Sequence, residues 1–165
     1  MACPLVRALP EDAPLLSAIA RVAKQSVGYP DAWMACWVEA LTVPRAALAA
    51  GLGWKAVDAR GVCCGFVCLA EGGVTGEWVV DFLFVLPGVQ RQGLGRKRLA
   101  RARDEALQRG AHRLVLDADP TAEAFYLSQG AKREGATPAP MPGQPARHLP
   151  RLAWPFKTQA QGKLA

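Results

Sequence analysis

The stretch EWVVDFLFVLPGVQRQGLGRKRLARARDEAL, residues 77 to 107, changes its period halfway along. Up to Val85 it is a nearly unbroken run of apolar and β-branched residues, the pattern of a strand. Beyond Pro87, Gly95, Leu99, Ala102 and Ala106 step by four, three and four, so they fall on one face of a helix. The small residues on that face let the helix lie close to a sheet. A strand that feeds such a helix through a short glycine-bearing turn commits the chain to a mixed α/β arrangement.

The flanking sequence extends this pattern. VRAL (6 to 9) reads as a first strand, and LLSAIARVAKQ as a helix whose apolar face carries Leu15, Ile19 and Val22. PDAWMACWVEAL is a second helical pattern with Trp33, Cys36, Trp37 and Leu41 on one side, and VPRAALAAGL adds a turn or two. WKAVDA and VCCGFVCLA are strand-like and precede the strand at 77 to 85. After the basic helix come RLVLDA (strand), PTAEAFYLSQG (short helix, with Pro120 in its first turn and Gly130 at its end), a strand from AKRE, a Pro/Gly-rich loop and LPRLAW. The predicted order is β-α-α-β-β-β-α-β-α-β-β. It describes one domain over residues 1–156, with residues 157–165 as a flexible tail.

Length and composition narrow the function classes. With 165 residues, 51% hydrophobic and 21% charged, the chain suits one soluble globular domain. It has no apolar stretch of membrane-spanning length, and no membrane partner is expected. The N-terminal residues lack the pattern of a secretory signal. The five cysteines form no CxxC pair, and Cys63, Cys64 and Cys68 sit in a strand pattern as small core residues. His112 and His148 have no ligand-spaced partners, so no metal site is expected. Together these features fit a reducing cytoplasm.

The net charge of +6 is carried entirely by residues 91 to 113, which hold eight basic residues and two acids. That patch would suit a nucleic acid electrostatically. It lacks interleaved aromatics and any helix-turn-helix or zinc-finger pattern, so no nucleic-acid partner is expected. A steep salt dependence of DNA binding would be the mark of that rival reading.

The turn itself is the clearest chemical signal. The N-terminus of a helix leaves backbone N–H groups without partners, and with the positive end of the helix dipole these make an anion site. Gly93 and Gly95 remove side chains that would keep a phosphate from the main chain, and Arg91, Arg96 and Lys97 add charge-assisted donors. A Walker A loop is excluded because Gly95 is followed by Arg96 and Lys97 rather than Lys-Ser/Thr. A dinucleotide fingerprint is excluded because Arg98 stands where a third glycine is required.

What remains, Gln90-x-x-Gly93-x-Gly95 after FLFVLP, resembles the acetyl-CoA loop of the GNAT N-acetyltransferase superfamily, Gln/Arg-x-x-Gly-x-Gly/Ala. DADPTAEAFYLSQGAKREG is similar to the family's later segment, at the usual separation, and PAPMPGQPARHLPRL to its C-terminal loop and strand. The resemblance implies the GNAT acyl-CoA N-acyltransferase fold, a central mixed, mostly antiparallel sheet flanked by helices. It also implies acetyl-CoA as co-substrate, a small-molecule or protein amine as acceptor, and a homodimer as a possible assembly.

The resemblance also assigns residues. Gln90, Arg91, Gln92, Gly93, Leu94, Gly95, Arg96 and Lys97 would form the pyrophosphate loop, and the main chain of Leu83 and Val85 would meet pantetheine. A splayed gap between the strand ending near Val85 and the strand at 113 to 118 would admit it. Asp119 stands where many members carry an Asn beside the cofactor. Tyr126 falls where the family often has a tyrosine that protonates the departing thiolate, the alternative being a core aromatic.

Val79 occupies the position at which some relatives carry a glutamate base, so this chain departs from the pattern there. By strand alternation Glu77 and Asp81 share the face of Val79. Asp81 is the candidate base or amine anchor, the alternative being an edge carboxylate, and Glu77 a second acceptor-side acid. Trp33, Trp37 and the loop at 138 to 145 are candidate acceptor-specificity elements, with core packing as the alternative for the tryptophans. No cysteine stands in a nucleophile position, which favours direct transfer over an acetyl-enzyme. A non-catalytic acyl-CoA sensor keeps the same loop and is the competing reading.

Overall fold

A computed structural model describes residues 3–89 and 92–157. Seven strands form one sheet in the order β1-β2-β3-β4-β5-β7-β6. They are β1 (Leu5–Arg7), β2 (Gly53–Val57), β3 (Cys63–Glu71), β4 (Glu77–Val85), β5 (Arg113–Asp117), β6 (Lys132–Pro138) and β7 (His148–Pro155). All neighbouring pairs are antiparallel except β4 with β5. The helices are α1 (Ala13–Gln25), α2 (Asp31–Cys36), α3 (Arg45–Ala49), α4 (Leu94–Gln108) and α5 (Glu123–Ser128). This is the mixed sheet flanked by helices that the sequence led us to expect. The expected C-terminal tail lies, from residue 158 onward, outside the described residues.

Each face of the sheet has its own core. On one, Leu16, Ile19 and Ala20 of α1 and Leu48 of α3 pack with Phe66, Cys68 and Phe82. On the other, Leu99, Ala102 and Ala106 of α4 and Tyr126 of α5 pack with Val67, Trp78, Val80, Leu114 and Trp154. Leu99, Ala102 and Ala106 are the face of α4 expected from the sequence, and all three are buried. In α1 the structure corrects the expected face: Leu15 and Val22 are each 49% exposed, while Leu16, Ile19, Ala20 and Ala23 are buried. The two stripes lie one residue apart. The sheet takes the one rich in alanine because it permits the closer approach, and Ser17 fixes it there. The Ser17 hydroxyl donates to Ala13 O (2.7 Å) and accepts from Val43 N (2.8 Å).

Two irregularities of β4 place the site. Its pairing with β5 covers only Glu77–Arg113, Trp78–Leu114 and Val79–Val115, after which the two strands part. Against β3, Cys68 faces Phe82 and Leu69 faces Val80, so Asp81 is the extra residue of a β-bulge. The bulge resets the alternation: Trp78 and Val80 belong to the α4 face, yet Phe82 lies on the α1 face. The parity that linked Glu77 and Val79 to Asp81 therefore does not hold across this strand.

Candidate active site

The gap between β4 and β5 opens into a cavity of about 1090 Å³. Its floor comes from Val80, Asp81, Leu83, Phe84 and Val85 of β4 and Leu116 and Asp117 of β5. Gly93, Leu94, Gly95 and Arg96 reach it from the start of α4, and Asp119, Phe125 and Tyr126 from the segment after β5. Lys24 and Trp37 of the first helices and Met141 and Arg147 of the β6–β7 loop complete it.

At the α4 end the site is built from backbone. Gly93 is the residue before the helix and takes a left-handed conformation (φ 73°, ψ 8°), which a side chain would strain. Lys97 N donates to Gly93 O (3.2 Å) as the helix begins, leaving the first-turn amides pointing out of its end. Leu94 is buried beside Cys3, Ala56 and Cys64, anchoring the turn from below. A Cβ on Gly95 would come within 3.3 Å of Phe125 Cζ, so this glycine lets α5 close over α4. Arg96 and Lys97 are exposed at the first turn, and only Arg96 borders the cavity. Gln92 is exposed and does not border it. Gln90 and Arg91, both expected in this loop, lie outside the described residues.

The rest of the basic helix does not form a continuous cationic face. Arg98 is buried (1% exposed), and Arg101 and Arg109 flank Glu105 at 3.6 and 2.9 Å while lying over the rings of Trp54 and Trp78. Arg113 is bound to Glu77 and Glu134.

Tyr126 and Asp119 both border the cavity. Tyr126 is 6% exposed and packs edge-on against Phe125 and Trp154. Burial, helped by the nearby Asp119 charge, pushes its phenol well above the ordinary tyrosine range, so the hydroxyl stays protonated at neutral pH. Asp119 accepts hydrogen bonds from Lys24 Nζ (2.5 Å), the Tyr29 hydroxyl (2.9 Å), Thr121 N (2.9 Å) and Thr121 Oγ1 (2.7 Å). Burial alone would raise its pKa. The bonds from Lys24 and Thr121 outweigh it and hold the carboxyl below 3.8.

The far end is made of side chains. Tyr29 stacks on Trp33 (5.5 Å), and Trp37 stands edge-on to both (5.1 and 5.9 Å). Lys24 Nζ lies 4.4 Å from the Trp37 ring centre, and the Arg147 guanidinium lies 5.2 to 6.0 Å from all three rings. Trp33 is buried and does not border the cavity. Its indole N–H donates to Pro142 O (2.9 Å) and ties the β6–β7 loop to α2. Trp37 does border the cavity. Lys24, Tyr29 and Arg147 were not singled out in the sequence. The signal available for Tyr29 was its four-residue spacing from Trp33, repeated from Trp33 to Trp37, although α2 itself holds only Trp33; no local pattern marks Lys24 or Arg147.

Asp81 borders the cavity and is solvent-accessible, yet the surrounding walls desolvate it enough to raise its pKa above the ordinary carboxylate value. Glu77 does not join it. The bulge and the strand length between them leave Glu77 away from the cavity, bound by Arg113 (3.4 Å) and Arg151 (3.2 Å). Its place as an acceptor-side acid is corrected to one in an ion network across β4, β5 and β7.

Residues 15–131 match the Acetyltransferase (GNAT) family. The chain belongs to the GNAT acetyltransferase family. Among curated proteins none matches the sequence significantly. Solved structures with the same fold include a GCN5-related N-acetyltransferase from Rhodopseudomonas palustris, 23% identical, with a TM-score of 0.74 over 94% of this chain and 97% of that one. The PaiA N-acetyltransferase of Thermoplasma acidophilum, solved with coenzyme A, is 16% identical with a TM-score of 0.75 over 94% and 100%. YncA of Salmonella typhimurium, solved with its cofactor acetyl-CoA, is 19% identical with a TM-score of 0.70 over the whole of both chains. Acetyl transfer is thus the chemistry against which this GNAT chain's cavity is to be read.

Proposed function

We propose that this GNAT chain transfers the acetyl group of acetyl-CoA directly to a primary amine. One observation carries the reading. The parting of β4 from β5 joins a helix N-terminus to a buried phenol and an accessible carboxylate in one cavity. The residues fit the donor. The α4 amides and Arg96 suit a pyrophosphate, and the channel along Leu83 and Val85 suits an extended pantetheine arm.

Acetyl-CoA supplies the acetyl group as an activated thioester. The amine arrives as an ammonium and needs to lose a proton, and the Asp81 carboxylate accepts it. The raised pKa of Asp81 makes it a better base than an ordinary aspartate. The freed nitrogen attacks the acetyl carbon while backbone groups along β4 orient the donor. As the carbon–sulfur bond breaks, the Tyr126 hydroxyl gives its proton to the thiolate, and the second proton that the nitrogen sheds in becoming an amide returns to the phenolate through solvent. Asp119, held ionised by Lys24 and Thr121, fixes the segment that carries Tyr126. We further propose that Arg91, Lys97, Gln90 and Gln92 belong to the phosphate end of this site.

The test is a broad amine panel (arylalkylamines, polyamines, amino acids and peptides) with acetyl-CoA, following thiol release and the mass of the acetylated product. Asp81→Asn is expected to lower turnover by about 10²-fold or more. Acetyl-CoA binding without acetylation of any amine would replace this reading with that of an acyl-CoA sensor.

A further inference from the structure

We infer that the acceptor is a small primary monoamine with an apolar aryl or alkyl body, and that the cavity rejects polycationic amines. This rests on the acetyl-transfer reading above and names the substrate class of the same site.

The carboxylates around the cavity decide how many ammonium groups it can hold. Three border it: Asp81, Asp117 and Asp119. Asp119 is saturated from within, its two oxygens taken by Lys24, Tyr29 and Thr121. Asp117 accepts from Thr137 Oγ1 (2.6 Å) and faces Arg151 at 3.5 Å. Asp81 alone has no hydrogen bond or ion pair among the described residues, and the bulge gives it a position outside the regular ladder. One carboxylate is thus available to one ammonium.

The cations set the other half of the selection. Lys24 and Arg147 both border the cavity on the side of the aromatic rings. Lys24 is matched by Asp119. Arg147 has no carboxylate partner among the described residues; it lies against Tyr29, Trp33 and Trp37, donates to Ala139 O (3.3 Å) and is held inside the loop. A second ammonium entering here would meet a fixed positive charge instead of an acid, and an uncompensated like charge in a confined site is a strong element of rejection.

The remaining wall says what the body of the acceptor is. Val27, Trp37, Leu41, Phe84, Met141 and Leu149 present apolar surface to the cavity. The roof above them is fixed: Trp33 holds Pro142, Ala139 N donates to Arg147 O (2.9 Å), and Met141 and Gln144 exchange backbone hydrogen bonds. Apolar walls under a pinned roof favour a compact body that loses its water on entry.

The experiment compares kcat/KM for 2-phenylethylamine, spermidine, kanamycin and an unblocked tripeptide at saturating acetyl-CoA, with acetyl-CoA affinity measured separately by calorimetry. The arylalkylamine is expected to be favoured over both polycations by about 100-fold. Arg147→Gln is expected to narrow that gap, mostly by raising kcat/KM for spermidine, with acetyl-CoA affinity unchanged. Equal or better use of spermidine or kanamycin, or preference for the peptide, overturns the acceptor class and leaves acetyl transfer standing. Acetyl-CoA binding with no amine of any kind acetylated removes acetyl transfer itself and the acceptor class with it.

Discussion

The two ends of the cavity are made of different material. At the α4 end the wall is made of main-chain amides and a glycine in a left-handed conformation, supported from below by Leu94 and from the side by Phe125. At the other end it is made of side chains brought from α1, α2, β4 and the β6–β7 loop, locked by ring stacking and by the bond from Trp33 to Pro142. A backbone site offers the same donors whatever the neighbouring side chains are, and so suits a constant donor group. A side-chain site changes with each substitution, and so suits a variable acceptor. Tyr126 and Asp119 border the cavity that the two ends share.

The largest expected effect tests that shared cavity. Tyr126→Phe keeps the ring against Phe125 and Trp154 and removes only the hydroxyl. Turnover is expected to fall by about 10²–10⁴-fold while calorimetric acetyl-CoA affinity stays the same. Full turnover across the pH range would return Tyr126 to a packing role.

A smaller effect tests the backbone end. No protein atom lies within 4 Å of where a Cβ on Gly93 would sit, so within the protein Gly93→Val acts through the left-handed backbone, and toward an anion through the bulk it adds over the main chain. An L-residue relaxes out of that conformation in the free loop and must regain it, at about 1–2 kcal/mol, to present the amides, so acetyl-CoA affinity is expected to weaken roughly tenfold, with KM for the amine little changed. An equal loss for both substrates would break the division between the two ends.

The smallest effect concerns Asp119 and pH. Its folded pKa is depressed, so it adds stability above its unfolded value near 3.8, and that stability is lost as pH falls through the folded value. The melting temperature of the protein is expected to exceed that of Asp119→Asn by a few degrees at pH 7, and the difference is expected to shrink on acidification below pH 4. A difference that stays constant with pH would mean that Asp119 acts by hydrogen bonding alone.

The backbone end was far easier to read from the sequence than the side-chain end. Gly93 and Gly95, the switch of period after Pro87 and the buried stripe of α4 are local facts, because a turn and a helix face are set by residues a few positions apart. Glu77 and Asp81 show the limit. Strand alternation puts them on one face, and a single extra residue in β4, visible only against β3, separates them. Leu15 and Val22 show it again: both stripes of α1 satisfy helical spacing, and only the sheet beneath selects one.

The sequence alone therefore determined a mixed α/β domain, the succession of its seven strands and the glycine turn that opens α4, which follow from short-range pattern and conformational preference. Its GNAT architecture was implied by resemblance, and α3 as a separate helix was not expected. The tertiary structure decided the rest: the parting of β4 from β5, the exposure of Asp81 at a bulge, the removal of Glu77 into an ion network, and the union of Lys24, Tyr29 and Arg147 with the tryptophans. Those features depend on contacts between residues as far apart as Lys24 and Asp119, or Trp33 and Pro142. Nothing in the local preference of either partner specifies such a pair. It exists only once the packing of the sheet and its helices has brought the two together.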